Sequence, residues 1–252
     1  MFKHLDFSRF DLVNSKNILI ECENCLHIFR VVDNNHALQI KQLYQSTEYA
    51  IHSEERNVYF KGQQVQACEA QSEIVLEYLS QSDPINILDI GCFDGSLLGA
   101  FEKLTKTDRL VGYDLEARST FKENCSGIFT SNPIDFIDEK FDLIILSHSI
   151  IYIEDLKSLF INISKLLNKD GYLFIHIPNI LKRPSMLLLG DQYHYFSPQS
   201  LDVLCSFFGF RNINLKSSIF EKDILFMGQK HKKTNSRQCR GILESLLVKV
   251  DN

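Results

Sequence analysis

From residue 85 onward, short apolar runs alternate with segments whose apolar residues recur every three or four positions, the pattern of strands interleaved with amphipathic helices. The runs at 85–90, 110–114, 127–131, 141–148 and 172–177 read as strands. The fourth is apolar without a break over Leu143-Ile144-Ile145-Leu146, as expected of a strand covered on both faces. Helices are predicted at 96–104 and at 156–167, where Leu156, Leu159, Phe160, Ile163, Leu166 and Leu167 fall on one stripe. Asn168-Lys169-Asp170-Gly171 reads as the glycine cap that closes the second of these. Ser197-Pro198 opens a further helix that runs to Phe208, before Gly209. Residues 210–218 and 224–229, parted by Glu221-Lys222-Asp223, read as a closing antiparallel hairpin. Such alternation predicts right-handed crossovers and an α/β, doubly wound, mostly parallel sheet. Ligands then bind beyond the carboxyl ends of the strands, where the strand order reverses.

The first third is less regular. Residues 17–32 read as strand, knuckle, strand around Cys22-Glu23-Asn24-Cys25, residues 36–49 as a short helix, and residues 60–79 as a longer helix stopped by Ser82-Asp83-Pro84. At the other end, 230–240 is basic and polar, and 242–250 has the pattern of a terminal helix. The expected organisation is a small N-terminal module over 1–58, a main domain over 59–230, and a polar linker with a terminal helix over 231–252.

Composition narrows the functional classes. A chain of 252 residues that is 44% hydrophobic can bury a large core, and a net charge of −5 gives no electrostatic reason to bind nucleic acid. No apolar run approaches the roughly 20 residues of a membrane span, and the N-terminus lacks the basic-then-apolar order of a signal peptide. Seven scattered cysteines suit a reducing compartment, so the expected location is cytoplasmic, with no membrane partner and the oligomeric state left open. Cys22 and Cys25 are half of a zinc-ribbon ligand set, but no earlier Cys-x-x-Cys completes it. The bland reading is therefore preferred: a hairpin that keeps two thiols without a metal.

The chemistry concentrates where the first strand meets its helix, at Asp89-Ile90-Gly91-Cys92-Phe93-Asp94-Gly95-Ser96. The glycines permit backbone angles that a Cβ forbids and let a ligand approach the main chain, while the new helix offers unpaired N–H groups. Phe93 stands where the dinucleotide fingerprint G-x-G-x-x-G has its second glycine, so a pyrophosphate fits poorly and a nicotinamide oxidoreductase is disfavoured. About 25 residues past the strand, Arg109-Leu110-Val111-Gly112-Tyr113-Asp114 supplies a second strand ending in an acid.

These two linked segments resemble motif I and the following acidic strand end of the class I S-adenosylmethionine-dependent methyltransferases. The resemblance implies a Rossmann-like, seven-stranded sheet preceded by a small N-terminal hairpin module, with S-adenosylmethionine as cofactor. It places Asp89, Gly91, Cys92, Phe93 and Gly95 around the methionine part, Asp114 at the ribose hydroxyls and Leu115 beside the adenine. Asn132 or Pro133 would touch the adenine edge, and Ser147 and His148 would line the floor below the methyl. In this family a helix before the first strand covers the cofactor, so Tyr49, Tyr59 and Phe60 either face the adenosyl group or pack in the core.

Asp191-Gln192-Tyr193-His194-Tyr195-Phe196-Ser197-Pro198 resembles a family segment in which a histidine lies near the acceptor; here Gln192 holds that position and His194 follows two residues later. His194 is the first candidate base and His148 the second, since a neutral imidazole can accept a proton at physiological pH. His176, inside the fifth strand, reads as a satisfied core residue. The acceptor implied is a small molecule; methyltransferases with a cysteine-bearing N-terminal module point to a sugar nucleotide or another biosynthetic intermediate. The rival reading is a non-catalytic module that keeps the fold to bind a cofactor or a partner.

Overall fold

The computed structural model describes residues 2–6, 18–32, 38, 39, 42, 57–79, 85–134, 137–213 and 219–231. In chain order the strands before the first crossover are β1 (Phe2–Asp6), β2 (Ile18–Cys22), β3 (Ile28–Val31), β4 (Asn57–Phe60), β5 (Gln63–Gln66) and, after helix α1 (Ala67–Leu76), β6 (Ile85–Ile90). Then come α2 (Ser96–Leu104), β7 (Thr107–Tyr113), α3 (Phe121–Asn124), β8 (Ile128–Thr130), β9 (Phe141–Ser147), α4 (Leu156–Leu166) and β10 (Leu167–Pro178). The chain continues through β11 (His194–Tyr195), α5 (Pro198–Phe207), β12 (Phe210–Asn212) and β13 (Asp223–Lys230).

Seven strands form one sheet in the order β12-β13-β10-β9-β6-β7-β8. The pairs from β10 to β8 are parallel, and β13 runs antiparallel between β10 and β12. β6 sits at the reversal of strand order, with β7 and β8 on one side and β9 and β10 on the other, and its carboxyl end opens the ligand crevice of such folds. Alternation along β9 builds both cores. Leu143 and Ile145 join Ile74, Val75, Leu97 and Phe101 of α1 and α2 on one face. Ile144 and Leu146 join Leu156, Phe160, Ile163 and Leu204 of α4 and α5 on the other. A strand with apolar neighbours on both faces has no polar side to show, hence its unbroken apolar run.

The helix predicted over 60–79 is shorter than expected. A hairpin, β4 paired with β5, occupies 57–66, and the helix begins at Ala67. Lys61 and Gly62 both take left-handed angles, the two-residue turn whose twist matches a hairpin, and Val58, Phe60 and Val65 supply the period of two. The cap expected at Gly171 is absent as well: α4 stops at Leu166 and Gly171 lies in β10. A Cβ at that glycine would stand 3.0 Å from Leu167 Cδ2 and 3.2 Å from two backbone oxygens, so close packing rather than a left-handed turn accounts for it.

The N-terminal hairpin forms as expected, with β2 antiparallel to β1 and β3, and Cys22 and Cys25 are buried thiols in the main core cluster. This sheet, in the order β1-β2-β3-β11, takes its fourth strand from the far half of the chain, with His194 opposite Phe29 and Tyr195 opposite Ile28. Of the helix expected over 36–49, residues 38, 39 and 42 are described and helical. Tyr49 and the features expected at 82–84, 232–240 and 242–250 lie outside the described residues. Among the described residues no helix is long and apolar enough to cross a membrane.

Candidate active site

The turn between β6 and α2 is held in a conformation few residues adopt. Gly91 and Gly95 have φ of +85° and +79°, and between them Phe93 is left-handed at +48°. A Cβ at Gly91 would collide with that of Ser149, and one at Gly95 would lie 2.8 Å from the Phe121 ring. Strain at a bulky residue persists only where the surroundings impose it. Here the Phe93 N–H donates to Asp114 Oδ2 (2.9 Å), and the Arg118 guanidinium lies over the Phe93 ring at 5.1 Å. The other Asp114 oxygen accepts the Leu115 N–H at 2.7 Å. The acid at the end of β7 is thereby tied to the glycine turn, and each of its oxygens keeps further lone pairs for a ligand. Asp94, one residue before the N-cap Gly95 of α2, accepts the Ser96 N–H at 3.0 Å.

Below the turn Asp89 is 2% exposed, and its Oδ1 has no hydrogen-bond partner. Burial, and after it the carboxylates of Asp114 and Asp94, push Asp89 up to about 8. Three acidic side chains around one turn disfavour a pyrophosphate and favour a cation, which would draw the proton off Asp89. An ammonium beside Asp89 and hydroxyls beside Asp114 would fill the open acceptor positions, so the residues present fit the amino-acid and ribose parts of S-adenosylmethionine. Cys92 turns its side chain away from the turn: its Sγ packs on Gly112, and burial pushes the thiol well up, leaving its backbone to the site. Leu115, Asn132 and Pro133 lie on the surface past β7 and β8. Tyr59 is exposed on the hairpin, while Phe60 packs against the core.

At the carboxyl ends of β9 and β10 lies a polar network, only part of which was foreseen. Ser147 is in register with His176, and Gln71 of α1 reaches across to both, its Nε2 donating to Ser147 Oγ (3.0 Å) and its Oε1 lying 3.2 Å from His176 Nδ1. His176 Nε2 is 3.2 Å from Asp223 Oδ2, and Arg183 forms an ion pair with Asp223 Oδ1 at 2.9 Å. His148 takes a left-handed φ of +56°, its N–H donates to the His176 carbonyl (2.7 Å), and the two rings lie 4.5 Å apart. His176 is buried and satisfied, as expected, but by partners that make it part of a site. The missed residues are Gln71, Arg183 and Asp223. A histidine in an otherwise apolar strand, level with Ser147-His148, was the available signal.

His194 lies in the seam between the N-terminal sheet and the main domain, 4% exposed. Its Nε2–H donates to the Glu154 carbonyl (3.2 Å), so its Nδ1 accepts from His27 Nε2–H, also at 3.2 Å. His27 Nδ1 is then a buried lone pair without a partner. Burial pushes His194 down to about 4 and His27 well below the usual histidine range, the second lowered further by the first. Arg30 anchors the same seam, donating to the Gln192 carbonyl (3.2 Å) and to Tyr195 Oη (2.6 Å). The Gln192 side chain is buried, its Nε2 unpartnered, beside a gap of about 10 Å³ that it lines with Ile151, Pro178, Met186 and His194. Such a gap has room for about one water.

A sequence profile described as a methyltransferase domain matches residues 62–215. No curated protein sequence matches the chain. Among solved structures, the 1,6-didemethyltoxoflavin-N1-methyltransferase of Burkholderia thailandensis, with 1,6-didemethyltoxoflavin and S-adenosylhomocysteine bound, superimposes with a TM-score of 0.58 at 13% identity, over 84% of this chain and 98% of that one. The magnesium protoporphyrin IX methyltransferase of Synechocystis PCC 6803, with S-adenosylhomocysteine bound, gives 0.54 at 14% identity, over 77% and 99%. A putative S-adenosylmethionine-dependent methyltransferase of Listeria monocytogenes gives 0.54 at 12% identity, over 66% and 99%. At these identities the structures speak for the fold, while the profile covers more than half of the chain. With motif I and its acidic partner strand in place, the chain belongs to the methyltransferase-domain family and is a class I S-adenosylmethionine-dependent methyltransferase.

Proposed function

We propose that the chain methylates a small molecule bound between the carboxyl ends of β9 and β10 and the wall formed by β11, with a sugar nucleotide or a comparable biosynthetic intermediate as the acceptor class. The observation that carries the donor side is the buried Asp89 side chain, its Oδ1 without a hydrogen-bond partner, beneath a turn locked to Asp114. When bound, S-adenosylmethionine supplies an electrophilic methyl group. Asp89 would hold its ammonium, Asp114 the ribose hydroxyls, and the main chain from Gly91 to Gly95 would pack along the methionine part. Leu115, Asn132 and Pro133 would border the adenine.

On the acceptor side the protein's task is to align the nucleophile and to remove a proton where one must leave. We assign that task to the cluster around His148 and not to His194, because both His194 ring nitrogens are engaged in the seam. The unpartnered Gln192 amide supplies a donor for an acceptor oxygen. None of the five residues of the 3-10 turn Pro184–Leu188, which contributes Met186 to the gap, is buried, so displacing that turn to admit an acceptor disrupts little packing. The sugar-nucleotide suggestion is supported by the cysteine-bearing hairpin, which pairs directly with the acceptor segment. The Burkholderia and Synechocystis enzymes are themselves named for small-molecule acceptors.

Calorimetry with S-adenosylhomocysteine tests the donor side: binding in the micromolar range is expected, and none at high micromolar ligand overturns the reading. Turnover of S-adenosylmethionine across a panel of nucleotide sugars and small heterocycles tests the acceptor.

A further inference from the structure

His148, His176 and Asp223 come from the end of β9, the end of β10 and the start of β13, and their ligand atoms all lie within 4.8 Å of one another. We propose that they form a binding site for a divalent transition-metal ion, of the class that takes imidazole and carboxylate ligands, at the acceptor edge; its placement there rests on the function proposed above.

The first argument is geometric. His176 Nε2 and Asp223 Oδ2 are 3.2 Å apart, and two adjacent ligands bound at about 2.0–2.2 Å to one zinc-like ion are separated by about 3.0–3.5 Å. The second argument is orientation and burial. His176 Nδ1 lies against Gln71 Oε1, which leaves Nε2 as the ring atom turned to the Asp223 carboxylate, and with side-chain exposures of 3% and 0% the pair is shielded from water. A proton between Nε2 and Oδ2 holds the two together, and a bound metal ion takes its place between the same two atoms. Gln71 then does for His176 what outer-shell acceptors do for metal-bound histidines, fixing the tautomer and the ring plane. Arg183 pairs with Asp223 Oδ1, so Oδ2 is the oxygen turned to His176 Nε2.

The third ligand is held at some cost. His148 keeps its left-handed backbone while its N–H is fixed to the His176 carbonyl, which holds its ring beside that of His176. Strain of this kind concentrates at sites where the geometry is used. Two imidazoles and one carboxylate suit zinc, cobalt or iron(II) better than magnesium or calcium, which prefer oxygen. Three protein ligands leave a coordination position open, as catalytic centres do. Such an ion withdraws a proton by lowering the pKa of a group beside it, in place of an imidazole accepting one.

The full chain, stripped with a chelator, is titrated with Zn²⁺ by calorimetry and with Co²⁺ by visible absorption. A single equivalent is expected, with the cobalt spectrum of nitrogen and oxygen ligation. Asp223→Asn and, independently, the less buried His148→Gln should each weaken binding at least about tenfold. S-adenosylhomocysteine affinity, read on the same samples, should not move and shows that each variant is folded. Because Cys22 and Cys25 are also metal-capable, the Cys22→Ser/Cys25→Ser variant is titrated in parallel and should still take up the ion. No uptake by the parent protein at high micromolar metal overturns the proposal and assigns the space between His176 and Asp223 to the proton alone. Thiolate charge-transfer bands that vanish in the cysteine variant overturn it equally. Metal uptake without S-adenosylhomocysteine binding would instead defeat the methyl-transfer reading and leave the metal site standing.

Discussion

The two sides of the crevice are built in opposite ways. On the donor side, seven consecutive residues from Asp89 to Gly95, with Asp114, make a turn whose shape resides in the main chain: three left-handed angles and carboxylate caps at Phe93, Leu115 and Ser96. On the acceptor side, Gln71, His148, His176, Arg183 and Asp223 meet from five separate elements, and His27 and Arg30 reach His194 and Tyr195 from more than 160 residues away. A donor common to a whole family can be served by one local backbone device. An acceptor that differs among its members requires a surface assembled by the tertiary fold, where side chains change without altering the turn.

The sharpest way to break this contrast is at Gly91. Gly91→Ala adds backbone strain and a collision with Ser149, so unfolding free energy should drop by about 3 kcal/mol or more in a denaturant titration, with S-adenosylhomocysteine binding lost. A folded variant that still binds would show the turn to be less rigid than its angles imply. Next in size, Asp114→Ala should weaken S-adenosylhomocysteine by about 1.5–3 kcal/mol, since charged hydrogen bonds to the ribose are lost. His194→Ala should lower stability by about 1–3 kcal/mol, because it leaves the His27 and Glu154 groups unpaired in a buried seam, while cofactor affinity stays as it was. A fall in both together would mean that the sides are coupled.

In pH the two sides respond in opposite directions. The folded chain holds a proton on Asp89 up to about 8, whereas unfolded aspartate releases it near 3.8; stability from this group is therefore complete below about 4 and is lost as pH rises toward 8. An ammonium ligand favours the ionised form, so below that point binding should expel a proton and tighten as pH rises. Calorimetric enthalpies that vary with buffer ionisation heat would show the proton release. His194, down at about 4, and His27, which burial also holds well below the usual histidine range, contribute stability above about 6.5 that is lost as pH falls toward 4. His194→Phe should flatten the acid limb of the stability profile and leave the alkaline limb unchanged.

The donor side was legible in the sequence because glycines and acids at fixed spacing report on local backbone geometry, and the strands at 85–90 and 141–147 because double burial leaves an unbroken apolar run. The helix predicted from residue 60 begins only at Ala67, because Val58, Phe60 and Val65 also satisfy a strand period and the Lys61-Gly62 turn decided between the two. The sequence ranks His194 ahead of His148 as the candidate base, and the structure supports the reverse order. What separates them is burial and pairing set by residues far along the chain, His27 in one case and His176 with Asp223 in the other, which no periodicity encodes.

The pairing of β11 with β3 has an evolutionary side. A two-residue ladder is built from backbone N–H and C=O groups, and only proline lacks the N–H, so the ladder indexes the loop's location without dictating the composition of the residues beside it. Descendants of this chain can trade the side chains at Asp191 and Gln192 for new substrates while the ladder at His194 and Tyr195 keeps that stretch in place, which separates the search for new chemistry from the risk of losing the scaffold.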